Sequence, residues 1–128
     1  MTRDEVLAMK PGRELDALVA EKVMGWEYFP AQATGMFVRL GYFFDPVSGE
    51  AHHHWSPSTD ISAAWEVVEK MSEQWPQYQL AKIEDGWSVM WGFDGYGWPE
   101  ATGKTAPEAI CKAALLAVMD GKDESGEL

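Results

Sequence analysis

At 128 residues, 46% apolar and 12% aromatic, the chain has the length and composition of one globular domain with its own core, which argues against intrinsic disorder. Its formal net charge of −11 repels a phosphate backbone over long range and so disfavours general binding of DNA or RNA. No apolar run nears the roughly 18 residues that span a bilayer, so no membrane segment is expected.

Thr2-Arg3-Asp4-Glu5 has the Thr-x-x-Glu form of a capping box and opens a short helix to about Met9. Pro11-Gly12 interrupts it. Arg13 to about Met24 gives a second helix, with Leu15, Leu18, Val19 and Val23 on one stripe and Gly25 as its stop. Trp26 to Gly35 reads as irregular. Met36 to Phe44 is rich in strand formers. Asp45-Pro46-Val47-Ser48-Gly49 has turn chemistry, and Glu50 to about Trp55 is the returning strand of a hairpin.

Ser56 to Asp60 is a loop ending in helix-capping side chains. The third helix, about Ile61 to Ser72, carries Ile61, Ala64, Trp65, Val68 and Met71 on one face. Tyr78 to Ile83 and Trp87 to Phe93 form a second hairpin around Glu84-Asp85-Gly86, with Trp87, Val89, Trp91 and Phe93 alternating onto one face. Asp94 to Glu100 is a glycine-punctuated loop. Thr105-Ala106-Pro107-Glu108 repeats the capping box, and the helix that follows to about Met119 is apolar on most sides. Such a helix is buried on two faces or used in self-association. Residues 1–121 form a single domain and 122–128 an acidic flexible tail.

Every histidine lies in Ala51-His52-His53-His54-Trp55. On an extended strand His52 and His54 share a face and His53 takes the other. A zinc shared by that pair needs a third and usually a fourth ligand, and no spacing here demands one. His52 and His54 are therefore read as ligand contacts, neutral donors or stacking rings on the wall of a pocket. A solvent-facing strand beside a tryptophan is the plainer alternative.

Trp87, Trp91 and Trp65 fall on apolar faces and read as core. Trp55 and Trp98, with Tyr96, stand at strand ends or in loops beside Gly and Pro, where flat rings are available to stack on bases. Gly103-Lys104-Thr105 resembles the end of a phosphate-binding loop, but the upstream glycine is absent and the nucleotide-hydrolase reading fails. Lys104 still precedes a helix start, where free N–H groups favour an anion. Ser58 and Thr59 offer a second such start, and Arg39 is a cation among aromatics.

Catalytic patterns are poor. There is no G-x-S-x-G or H-E-x-x-H, and Cys111, the only cysteine, sits in an apolar helix. The opening residues lack the basic-then-apolar order of a secretory signal, so a cytosolic location is expected.

Three blocks stand out together: GRELDALVAEKVMGW (12–26), STDISAAWEVVEKM (58–71) and TAPEAICKAALLA (105–117). In order and spacing they resemble the phage ABA sandwich domain family, small proteins of Bacillus-type phages and prophages. The resemblance implies an α/β (α+β) fold in three layers, an α-β-α sandwich whose antiparallel or mixed sheet is covered by helices. It implies no catalytic residue and no cofactor. Residues 34–55 look longer than the family's connection, so they read as an added β-hairpin carrying the histidines.

The expected function is non-catalytic: a phage protein in the host bacterial cytosol that sequesters a small anionic ligand, a nucleotide-type immune signal of the host, as a homo-oligomer. Its expected ligand-binding residues are Arg39, His52, His54, Trp55, Ser58, Thr59, Tyr96, Trp98 and Lys104. The alternative is a module that binds a host or phage protein. A metal-dependent hydrolase using His52 and His54 comes third.

Overall fold

The computed structural model describes residues 2–92 and 100–127. Its helices are α1 (Arg3–Ala8), α2 (Arg13–Val19, continued by a wider π-type segment, Ala20–Met24), α3 (Ile61–Ser72) and α4 (Ala106–Glu127). Its strands are β1 (Glu27–Phe29), β2 (Gln32–Thr34), β3 (Phe37–Arg39), β4 (Tyr42–Asp45), β5 (Glu50–His52), β6 (Tyr78–Ile83), β7 (Gly86–Trp91) and β8 (Glu100–Gly103). The fold is an α+β sandwich.

Helix starts follow local chemistry. The Thr2 hydroxyl accepts from the Glu5 N–H at 3.2 Å, and the Glu5 carboxylate accepts from the Thr2 N–H at 3.2 Å, so the first capping box is complete. Asp60 caps α3 by accepting from the Ser62 and Ala63 N–H groups. At α4 the box is displaced by one residue. The Glu108 N–H donates to the Thr105 hydroxyl, but the Glu108 carboxylate accepts from the N–H of Lys104. Gly25, at φ 75°, ends the second helix in the left-handed conformation a stop requires.

All strand pairing is antiparallel, and the described strands form three small sheets, β1-β4-β5, β2-β3 and β6-β7-β8. The expected strand from Met36 to Phe44 is broken at Leu40-Gly41. A Cβ on Gly41 would lie 3.2 Å from the Ala31 nitrogen and 3.4 Å from the Phe29 carbonyl oxygen, so the chain passes close beside the end of β1 there. The segment 34–55 is consequently not one added hairpin. Its second half, β4-β5, joins β1 in a three-stranded sheet, and only β2-β3 stands apart. The stretch from Trp26 read as irregular holds β1 and β2, and β8 emerges from a segment with no strand pattern.

The apolar α4 is the centre of the packing. It touches β7 and β8, and also α1, α2 and α3, so every residue from Glu108 to Ala117 is buried. Of the two readings of this helix, burial on two faces or self-association, the structure shows the first for the side chains from Ala109 to Ala117. Each of the fully buried Ile110, Leu115 and Leu116 contributes roughly 1.5–3 kcal/mol by leaving water. The helix also runs on to Glu127, through the segment read as a flexible tail. On α3 the buried face is Ala63, Ala64, Val67, Val68 and Met71. Ile61 and Trp65, expected in the core, are 50% and 43% exposed, and Trp65 packs edge-on to Tyr78. Phe93, expected on the inner face of β7, lies outside the described residues.

Candidate functional site

The histidine stretch lines an aromatic cluster under the β1-β4-β5 sheet. His52 stacks flat on Trp26, with ring centroids 4.3 Å apart and planes 5° from parallel. Trp26 meets Trp55 at 4.6 Å, and Trp55 meets Phe43 edge-on at 5.6 Å. The Trp55 indole N–H donates to the Glu66 carboxylate at 2.9 Å, and Trp55 is only 4% exposed. Trp55 is therefore a core residue that joins the sheet to α3. It is not a ligand platform, and that expectation is corrected.

β5 ends at His52, so the alternation expected through His54 does not occur. His53 packs on Tyr42 at 5.5 Å, and both His53 and His54 are exposed. His52 Nε2 is buried with no hydrogen-bond partner; the Glu50 carboxylate lies 4.0 Å away. Among the described residues no three His, Cys, Asp or Glu side chains are grouped to hold a metal ion.

Ser58 is also structural. Its N–H donates to the Asp16 carboxylate at 2.8 Å, and its hydroxyl accepts from the Gly12 N–H at 2.9 Å. With no exposed surface it clamps the start of α2 to the loop before α3, and no ligand reaches it. Thr59 beside it is exposed, and its hydroxyl turns to the Ser56 carbonyl.

Asp16 is 3% exposed, and this burial raises its pKa above the ordinary 3.8; the Ser58 hydrogen bonds and the Arg13 charge pull the other way. A raised carboxyl pKa favours the folded state most below pH 3.8, and the advantage is lost as pH rises through the folded value. Asp16→Asn keeps an oxygen for the Ser58 N–H but carries no charge. Its stability relative to wild type should therefore increase between pH 3 and pH 7, as read in paired urea melts. A difference that stays flat or moves the other way counts against this account.

The cations converge elsewhere. Three adjoining grooves of about 350, 400 and 610 Å³ run along the α1–α2 connection to the start of α4, lined by the cations Lys10, Arg13, Lys104 and Lys112 and by the carboxylates Glu14, Glu21 and Glu108. Lys112 is committed to Glu108, but Lys10, Arg13 and Lys104 have no ion-pair partner among the described residues. The Arg13 guanidinium lies over two rings, 4.6 Å from the Phe43 centroid and 5.5 Å from that of Tyr28. Tyr28, Met9, Ala17 and Leu18 give the 350 Å³ groove an apolar wall beside that cation.

Of the described residues singled out in the sequence, only Lys104 belongs here. Its own N–H is taken by Glu108, so its side chain rather than a free helix end is what it offers. Lys10 and Arg13 were missed; their signal was two cations flanking Pro11-Gly12 in an acidic chain. Arg39 lines none of these grooves; it donates to the Pro30 carbonyl at 3.3 Å and lies over Tyr42. Tyr96 and Trp98 lie outside the described residues.

Fold and surface together define a small α+β sandwich protein with grooves of mixed charge beside its second helix. The chain belongs to the phage ABA sandwich domain family, whose model matches residues 17–115. That span includes His52, His53 and His54. The chain is also similar to the crystal structure of a phage protein from Bacillus cereus ATCC 14579, at 29% identity and a TM-score of 0.58, over 86% of this chain and 93% of that one. No curated protein matches it. No helix among the described residues is long and apolar enough to cross a membrane.

Proposed function

We propose that the protein acts without catalysis, by sequestering a small anionic ligand of the nucleotide class, an immune signal of the host cell. The observation that supports this reading is the set of unpaired cations, Lys10, Arg13 and Lys104, along adjoining grooves of a chain whose net charge is −11. A long polyanion is repelled by the distant acidic surface, whereas a small phosphate is governed by the cations it touches. A guanidinium laid on aromatic faces keeps N–H donors free at its edge, which suits bidentate phosphate binding. The neighbouring Tyr28 ring and aliphatic wall suit a base or ribose. A groove of about 350 Å³ is within the range of small-molecule sites.

Native mass spectrometry of protein purified from cells with an active nucleotide-signalling defence tests this. A releasable nucleotide mass is expected. Lys104→Ala and Arg13→Ala should each weaken rebinding by roughly 10- to 100-fold, with the thermal midpoint of Lys104→Ala unchanged. An empty protein that gives no heat of binding with cyclic or ADP-ribose-type nucleotides sinks the reading.

A further inference from the structure

Every residue from Ala31 to Leu40 is exposed, so the β2-β3 hairpin stands off the body of the domain. Its side chains are not those of a solvated loop. Met36 is 96% exposed, Phe37 81%, Val38 72% and Leu40 65%. Phe37 pairs across with Thr34 and Val38 with Ala33, which puts apolar groups on both faces of the ribbon. Among the described residues β2 and β3 pair only with each other, so each has one edge of backbone N–H and C=O groups with no strand partner there. A two-stranded ribbon wet on both faces is marginal in water, and an open apolar edge is a template for another strand.

We infer that this hairpin is an arm through which two copies of the chain pair edge to edge, extending two strands into four. Charge distribution points to a second copy. Residues 28–44 contain no Asp or Glu, although the chain has 21 acidic residues. Two molecules of charge −11 repel across most approaches, and the arm is a surface on which they meet without opposing carboxylates. Arg39, the only charge on the arm, is turned to the Pro30 carbonyl and the Tyr42 ring at its base. Antiparallel pairing of an edge with its own copy satisfies two-fold symmetry, the commonest arrangement of soluble oligomers. Pairing along the open edge also brings the exposed Met36, Phe37, Val38 and Leu40 of the two copies side by side and removes part of their apolar surface from water. None of them lines the cation-bearing grooves, so the arm and the proposed ligand site stand or fall separately.

Sedimentation velocity of the full chain over a wide concentration range tests the arm, with the doubly substituted Phe37→Asp, Val38→Asp chain beside it. Val47→Asp serves as control, since Val47 is 95% exposed on the β4-β5 turn, away from the arm. The wild type and Val47→Asp should be dimers. The double variant should be monomeric or show a dissociation constant raised by about 100-fold or more, and should still unfold cooperatively because Phe37 and Val38 are exposed on the single chain. A wild-type monomer at every concentration overturns the inference and points to an edge strand of a different protein as the arm's partner. A dimer that survives in the double variant, or is equally lost with Val47→Asp, also overturns it.

Discussion

Lys112→Ala is expected to destabilise the fold by about 3–5 kcal/mol. The Lys112 ammonium lies 2.7 Å from the Glu108 carboxylate and donates to the Leu7 carbonyl at 3.0 Å, with the two side chains only 5% and 11% exposed. Truncation leaves a desolvated carboxylate without its counter-charge. It also strips the partner from a carbonyl in the last turn of α1, loosening that helix from α4. The remaining Lys104 N–H, 3.1 Å from the other carboxylate oxygen, is too little to compensate a full charge. Neutralising both members, as in Lys112→Met with Glu108→Gln, should recover a large part of the loss, because what costs most is the uncompensated charge. Urea unfolding of wild type, single and double variants measures this cycle. A single-variant loss under 1 kcal/mol would show that the pair is not desolvated.

The second large effect is expected at Gly86, where alanine should cost about 3 kcal/mol or more. Gly86 opens β7 at φ 141°, a conformation side chains rarely adopt, and its added Cβ would collide with the Gly103 carbonyl oxygen. The Gly103 carbonyl carbon and Lys104 Cα are next, at 3.1 and 3.2 Å. All of these are backbone atoms, so no side chain can rotate aside and β7 must part from β8. A Cβ on Gly103 would in turn lie 2.8 Å from the Ala109 nitrogen, so β8 is also pressed closely to α4. Gly49, at φ 78° with nothing within 4 Å, separates conformation from collision. Gly49→Ala should cost only about 1 kcal/mol. Thermal melts that place the two alanine variants together would remove the steric account.

What was legible in the sequence is what short-range chemistry decides. Thr2 and Glu5, Asp45 and its turn, and Asp60 with the N–H groups after it all act within three residues, so their hydrogen bonds are written in adjacent letters. The three matched blocks identified the family for the same reason: helices with caps and stripes carry long, regular patterns. Strands of three residues such as β1 and β2 are too short to show a period. They exist because a partner strand completes their hydrogen bonds, as Phe44 does for Glu27 and the adjoining β3 does for β2.

The site was read less well, because a residue type does not say on which side of the surface it will lie. Trp55 looked like a loop aromatic until Glu66 took its N–H, and Ser58 looked like a free cap until Asp16, 42 residues away, closed over it. Alone, the sequence determined the helices, the two hairpin turns, the acidic balance and the family. Only the tertiary structure decided that α4 is enclosed, that Lys10, Arg13 and Lys104 border adjoining grooves, and that Met36, Phe37 and Val38 stand in water. Capping and turn preferences are settled by neighbours in the chain, whereas burial and the meeting of charges depend on contacts such as Lys112 to Leu7, 105 residues apart.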